Sequence, residues 1–165
     1  MYLITICTHQ RECLFGEIVE GEMQLNPLGN AVRSHWLKLQ YHHAHLQLDA
    51  WVVMPNHIHG ILVLPDNLRA GLAKNVSVET RKIMPKPTPT DLYHEIPEII
   101  RGFKAFSARY INKIRRARGI PVWQRNYYEH IIRNEESLQF ICRYIYNNAI
   151  AWQNDQLHPA NPSKW

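Results

Sequence analysis

Two imidazoles stand two residues apart in Trp51-Val52-Val53-Met54-Pro55-Asn56-His57-Ile58-His59-Gly60-Ile61-Leu62-Val63-Leu64. The apolar runs on either side of Met54-Pro55-Asn56 read as two strands joined at a Pro/Asn break of the kind turns use. Residues two apart in a strand share a face. His57 and His59 therefore stand side by side, roughly 6.5–7 Å apart along the strand, while Ile58 enters the opposite layer. Two imidazoles so placed can share one divalent metal, each giving its second ring N–H to a partner that fixes its tautomer. With ten histidines in the chain, the pair also reads as two ordinary half-exposed residues, since a metal centre needs a further ligand.

A chain of 165 residues suits one domain, 1–165, and can bury a substantial core. A hydrophobic content of 45% and an aromatic content of 10% argue for a folded globule and against disorder. The net charge of +5 is compatible with a polyanionic partner. Cys7, Cys13 and Cys142 match no zinc or redox spacing, and their odd number argues against a disulfide framework. A reducing cytoplasm follows as the expected compartment. The N-terminus lacks a basic leader pattern, and no apolar run approaches a membrane span, so no membrane partner is expected.

The elements that must position the histidines follow from pattern. Tyr2–Thr8 is a core strand, and 13–25 gives a second. Asn26-Pro27 opens a helix to about Gln40, with Val32, Trp36 and Leu39 at helical spacing. Leu46–Met54 is the third strand and the histidine run the fourth. Residues 65–94, with Pro85-Lys86-Pro87-Thr88-Pro89, read as a long loop insertion. Pro97 opens a helix expected to run to Arg118 and to close at Gly119 and Pro121. Its apolar face is Ile99, Phe103, Phe106, Tyr110 and Ile114; Arg101, Lys104, Arg109, Arg115 and Arg116 spread over the other side. Five cations with no acid between Ile99 and Gly119 fit DNA phosphate contacts, or equally a solvated face. Val122–Arg133 has a strand signature, Asn134 caps a helix to about Asp155, and 156–165 is a polar tail ordered by docking. The order β-β-α-β-β-loop-α-β-α makes an α+β fold with a largely antiparallel sheet covered by helices.

Val53-Met54-Pro55-Asn56-His57-Ile58-His59 resembles the core motif of the HUH single-tyrosine transposases, and within them the REP-associated tyrosine transposases (transposase 17). The Trp123-Gln124-Arg125-Asn126-Tyr127-Tyr128-Glu129-His130-Ile131-Ile132-Arg133 run also recurs in that family. The resemblance implies a ferredoxin-like sheet with the HUH motif on a central strand and a nucleophilic tyrosine on the C-terminal helix. Arg143-Tyr144-Ile145-Tyr146-Asn147-Asn148 resembles the family's Tyr-Ile-x-x-Asn-Pro segment and points to Tyr144. Helix geometry agrees: with Ile141, Ile145, Ala149 and Trp152 buried, Tyr144 and Asn148 lie one turn apart at the edge of that face.

The implied activity is that of a metal-dependent single-strand DNA endonuclease and strand transferase acting at hairpin-forming repeats. Its tyrosine forms a 5′-phosphotyrosine and frees a 3′-OH. The implied metal ligands are His57, His59 and Asn148, with Mg²⁺ or Mn²⁺ as the ion. The implied partner is single-stranded or hairpin DNA. Insertion-sequence relatives act as homodimers and the repeat-associated branch as a monomer. Ala149 replaces the family's Pro, so the last helix is expected to run on, and 65–94 takes no part in the resemblance. A catalytically inactive nucleic-acid-binding domain retaining the fold is the alternative. A metal-binding protein with no nucleic-acid role is a third reading.

Overall fold

A computed structural model describes residues 1–64 and 95–161; the predicted loop 65–94 and the last residues of the tail, 162–165, lie outside them. The elements are β1 (Tyr2–Cys7), β2 (Gly16–Val19), β3 (Glu22–Leu25), α1 (Pro27–His42), β4 (Gln47–Met54), β5 (His57–Val63), α2 (Glu95–Ile114), β6 (Tyr128–Ile131) and α3 (Glu135–Asn147). A 3₁₀ turn at Trp152–Asn154 follows α3. No described helix is long and apolar enough to cross a membrane.

The main sheet has the order β4-β5-β1-β6, antiparallel throughout. The path β1-α1-β4-β5-α2-β6 is therefore a ferredoxin-like βαββαβ unit. To it are added the β2–β3 hairpin between β1 and α1, and α3 at the end. The two apolar faces of the sheet form separate cores. Ile4, Ile6, Val53, Ile58 and Leu62 pack with Val32, Trp36 and Leu39 of α1 and with Ile99, Ile100, Phe103 and Ile111 of α2. Leu3, Ala50, Ile61 and Ile132 pack with Ile141 and Ile145 of α3. The period-2 alternation along β5 thus sends Ile58 and Leu62 one way and His57, His59 and Ile61 the other.

Local chemistry sets the boundaries. Asn26 Oδ1 accepts from the N–H groups of Leu28 (2.8 Å) and Gly29 (3.0 Å), so the expected cap starts α1. The second predicted strand is instead a hairpin of two, because Glu20 (φ 52°) and Gly21 (φ 81°) turn the chain back. Helix α2 begins before Pro97 and ends at Ile114 rather than Arg118. Its last turn closes with Arg116 N–H on Lys113 O (3.3 Å) and Ala117 N–H on Asn112 O (3.0 Å), with Arg116 in the left-handed region. That is a Schellman closure made without glycine.

The buried stripe of α2 is Ile96, Ile99, Ile100, Phe103, Ser107 and Ile111; Phe106, Tyr110 and Ile114 are exposed, so the apolar face is rotated from the predicted one. Of the predicted Val122–Arg133 strand, Tyr128–Ile131 pairs along β1, and Trp123 adds a single antiparallel bridge to Thr8. The preceding segment is strapped to α2. Lys104 Nζ donates to the carbonyls of Gln124 (2.6 Å) and Arg125 (2.8 Å), and Trp123 Nε1 donates to Ser107 Oγ (3.0 Å).

Gly60 places β5 under Trp36, whose ring meets Phe103 edge-on at 5.2 Å between centroids. A Cβ at position 60 would lie 2.3 Å from Trp36 Cζ2, in a core where Trp36 is fully buried. Gly60→Ala should therefore cost about 1–3 kcal/mol by overpacking. In urea unfolding, Gly60→Ala should lose less in a Trp36→Phe background than alone; purely additive losses would disprove the contact's role.

Candidate active site

β5 lies between β4 and β1, so its side chains sit in the middle of the sheet. His57 and His59 are buried there. The preceding turn is held from outside: Pro55 O accepts from Phe15 N–H (3.0 Å), and Asn56 O accepts from Thr8 N–H (2.8 Å) and Thr8 Oγ1 (3.0 Å). The imidazoles meet edge-on, 4.4 Å between centroids. His59 Nδ1 is 2.7 Å from Oγ1 of Thr5, its cross-strand neighbour on β1. His57 Nδ1 is 2.8 Å from Asn56 Oδ1. His57 Nε2 is buried and makes no hydrogen bond among the described residues.

Helix α3 brings up the opposite wall. Asn134 caps it through Ser137 N–H (2.8 Å), with Glu135 and Glu136 in the first turn, where acids suit the helix dipole. Burial of Ile141 and Ile145 against the sheet turns Tyr144 toward the histidines. Its hydroxyl is 3.2 Å from His59 Nε2 and 3.4 Å from Asp155 Oδ2, while Tyr146 is 69% exposed. Asn148 Nδ2 donates to Asp155 Oδ2 (2.9 Å), and its buried Oδ1 is left unpartnered.

Asp155 lies here because α3 ends at Asn147, not at Asp155 as its pattern suggests. Asn148 N–H bonds back to Ile145 O, and the 3₁₀ turn at Trp152–Asn154 continues the tightening. In a continuous helix Asp155 would be roughly 16 Å beyond Tyr144 along the axis. The folded-back chain holds it through Leu157 N–H on Asp155 Oδ1 (2.6 Å), with Leu157 buried and Arg11 donating to Gln156 O (3.2 Å). The tail is docked as far as Asn161, whose Nδ2 donates to Asp155 O (2.7 Å).

Ligand atoms of His57, His59 and Asp155 all lie within 4.8 Å of one another. Two imidazoles, one carboxylate and the carboxamide oxygen of Asn148 make a mixed nitrogen and oxygen set that fits a divalent cation. Two buried atoms of that set, His57 Nε2 and Asn148 Oδ1, have no other partner among the described residues. Asp155, Thr5 and Asn56 were not singled out from sequence. The one available signal for Asp155 was its helical phase, which at seven residues past Asn148 falls on the same stripe.

Burial lowers the basicity of both rings. His57 is held well below the ordinary imidazole value, by burial first and the neighbouring His59 second. His59 falls to about 4 by burial, with Asp155 opposing. Tyr144 is pushed up to about 12, by burial first and Asp155 second, so at neutral pH it is a phenol.

Arg101, Lys104 and Arg109 are on α2, and Arg115 and Arg116 in the turn that closes it; the helix packs against the sheet face opposite the histidines. Arg101 pairs with Glu98 in solvent, and Arg109 stacks on Phe106 at 5.0 Å. Lys104 is tied to the 124–125 carbonyls, and Arg115 to Asn112 Oδ1 (2.8 Å) and Ile120 O (3.1 Å). Arg116 forms the helix closure. The structure therefore brings Tyr144, His57, His59 and Asn148 together and leaves the cations elsewhere.

The depressed imidazoles give stability a pH dependence. A group whose folded pKa lies below its unfolded value stabilises the fold above the unfolded value, near 6.5, and loses that contribution as pH falls. For His59 the window runs from 6.5 down to about 4 and amounts to roughly 3 kcal/mol, with His57 adding in the same sense. In metal-free buffer the urea midpoint of the native chain should fall more between pH 7 and pH 4.5 than that of His59→Gln. Parallel curves would contradict the assigned burial.

No protein-family model matches the chain. An uncharacterized protein of Haemophilus influenzae strain Rd is 40% identical over 157 residues, covering 95% of this chain and 84% of that protein. A provisionally named REP-associated tyrosine transposase of the same strain is 28% identical over 108 residues, covering 66% of this chain and 52% of that protein. Among solved structures, a REP-associated tyrosine transposase bound to a REP hairpin is 18% identical with a TM-score of 0.49, over 99% of this chain and 83% of that one. A provisionally assigned transposase of Deinococcus radiodurans R1 is 18% identical with a TM-score of 0.48, over 88% of each chain. This chain and the uncharacterized Haemophilus influenzae protein thus belong to one family.

Proposed function

We propose that this protein is a metal-dependent single-strand DNA nicking and joining enzyme of the transposase type, with Tyr144 as nucleophile. The observation that carries the reading is the Tyr144 hydroxyl 3.2 Å from His59 Nε2, inside a buried pocket that also contains His57, Asn148 and Asp155. The resemblance to REP-associated tyrosine transposases supports a DNA substrate. The hairpin bound by one such protein suggests hairpin-forming repeat DNA. The intact nucleophile and donor set favour catalysis over an inactive DNA-binding domain.

His57 Nε2, His59 Nε2 and Asn148 Oδ1 would hold the ion, Mg²⁺ or Mn²⁺, with the Asp155 carboxylate beside them. A bound divalent cation polarises the scissile phosphate and stabilises the charge that develops on its oxygens. The chain's residues do the rest. Sheet and helix hold Tyr144 at the edge of this buried cluster, where the residue is 36% exposed and can meet a strand from solvent. The phenol is a weak nucleophile, so its proton must leave as the O–P bond forms; Asp155 Oδ2, 3.4 Å away, is placed to take it. The P–O3′ bond breaks, the 3′-oxygen leaves as a hydroxyl after taking a proton from solvent, and the 5′-phosphate stays on Tyr144. Reversal with a different 3′-OH joins strands. In this reading the exposed Arg101, Arg109 and Arg116 contact phosphates of the hairpin away from the cleavage point.

The test is a 3′-labelled single-stranded hairpin DNA incubated with protein and Mg²⁺ or Mn²⁺. A covalent adduct should form with the native chain and Tyr146→Phe, and should vanish with chelator or in Tyr144→Phe. Digestion should place the nucleotide on the peptide containing Tyr144. An adduct on the Tyr127-Tyr128 peptide, or full activity in Tyr144→Phe, would overturn the assignment.

A further inference from the structure

Asn56 touches both the histidine pair and the segment that carries Asp155. We propose that it is a positioning residue: its carboxamide fixes His57 as the Nδ1–H tautomer, baring Nε2 toward the site, and with the same group latches the folded-back segment at Leu157. The use of the bared nitrogen rests on the metal-dependent reading above; the tautomer does not.

The assignment follows from counting donors and acceptors. One end of the Asn56 carboxamide faces two carbonyl oxygens, Leu157 O at 2.8 Å and Arg11 O at 3.1 Å. Carbonyls only accept, so that end is the NH₂ group. The other end is Oδ1, which also only accepts, and it lies 2.8 Å from His57 Nδ1. Nδ1 must then carry the hydrogen. A neutral imidazole has one N–H, so Nε2 keeps a free lone pair. Nε2 makes no hydrogen bond among the described residues, although the Asn148 side chain lies near it, so the tautomer rests on the Asn56 contacts.

The carboxamide cannot easily turn away. Asn56 is 1% exposed, and its own carbonyl is gripped by Thr8 N–H and Thr8 Oγ1. Its Leu157 contact continues through Leu157 N–H to Asp155 Oδ1 at 2.6 Å. One side chain therefore sets the open nitrogen of His57 and the placement of the loop that delivers Asp155. Thr5 Oγ1 can do for His59 only the first of these.

The experiment uses the full chain in chelator-treated buffer with ¹⁵N-labelled histidine. Long-range ¹H–¹⁵N correlation spectra report which ring nitrogen is protonated, and the His57 pattern is assigned by its disappearance in His57→Gln. The native chain should show His57 as Nδ1–H, the form that is in the minority for a free histidine side chain. Asn56→Ala should shift it toward Nε2–H, speed hydrogen exchange at the Leu157 amide, and weaken Mn²⁺ binding by calorimetry about 10–100-fold. Nε2–H in the native chain would overturn the proposal, whether or not the variant folds. So would an Asn56→Ala protein with unchanged tautomer and unchanged Mn²⁺ affinity. A native chain with His57 as Nδ1–H that never nicks DNA would remove the enzymatic reading and leave the tautomer assignment standing.

Discussion

Two neutral imidazoles buried side by side in the middle of a sheet constrain everything around them. Each ring nitrogen there needs a partner or a purpose, because an unpaired buried polar atom is costly. The register of β5 against β1 supplies Thr5 to His59, and the Pro55-Asn56 turn supplies Asn56 to His57. The turn is itself pinned by Thr8 and Phe15 from the chain after β1. The inner nitrogens are then committed to the scaffold. The outer ones face α3, where one finds the Tyr144 hydroxyl and the other only the unpaired oxygen side of a pocket.

That arrangement explains why the last helix stops where it does. A longer α3 would carry Asp155 away along its axis. Ending it at Asn147 and tightening through Trp152–Asn154 returns a carboxylate to the pocket, where Asn148, Tyr144 and the Leu157 amide hold it. Trp152 then closes over His57 at 5.9 Å between ring centroids. The two sides of the sheet divide the labour: α1 and α2 supply the larger apolar core, and α3 brings chemistry to the other face.

The histidine pair was legible because its spacing matches the strand period and its flanks are apolar on both sides. Asn26 was legible as a cap for an equally local reason. Tyr144 and Asn148 were legible from a motif resemblance combined with helical phase. What failed depended on contacts distant in sequence. The α2 stripe was rotated because Phe106 and Tyr110 satisfy helical periodicity without meeting the sheet. Val122–Arg133 has strand residues throughout, yet Lys104 and Ser107 hold its first half against a helix. Asp155 was missed because its place depends on where α3 ends, and the substitution of Ala149 for proline suggested the opposite.

The central claim is that His57, His59 and the residues around Tyr144 form one metal-binding centre. Anomalous diffraction at the manganese edge, on crystals of the full chain soaked in Mn²⁺, tests it most directly. The expected map has one strong peak within coordination distance of His57 Nε2 and His59 Nε2, with Asn148 or Asp155 completing the shell, and none in crystals of the His57→Gln, His59→Gln variant. A manganese peak elsewhere, or none between the imidazoles at saturating ion, would contradict the account.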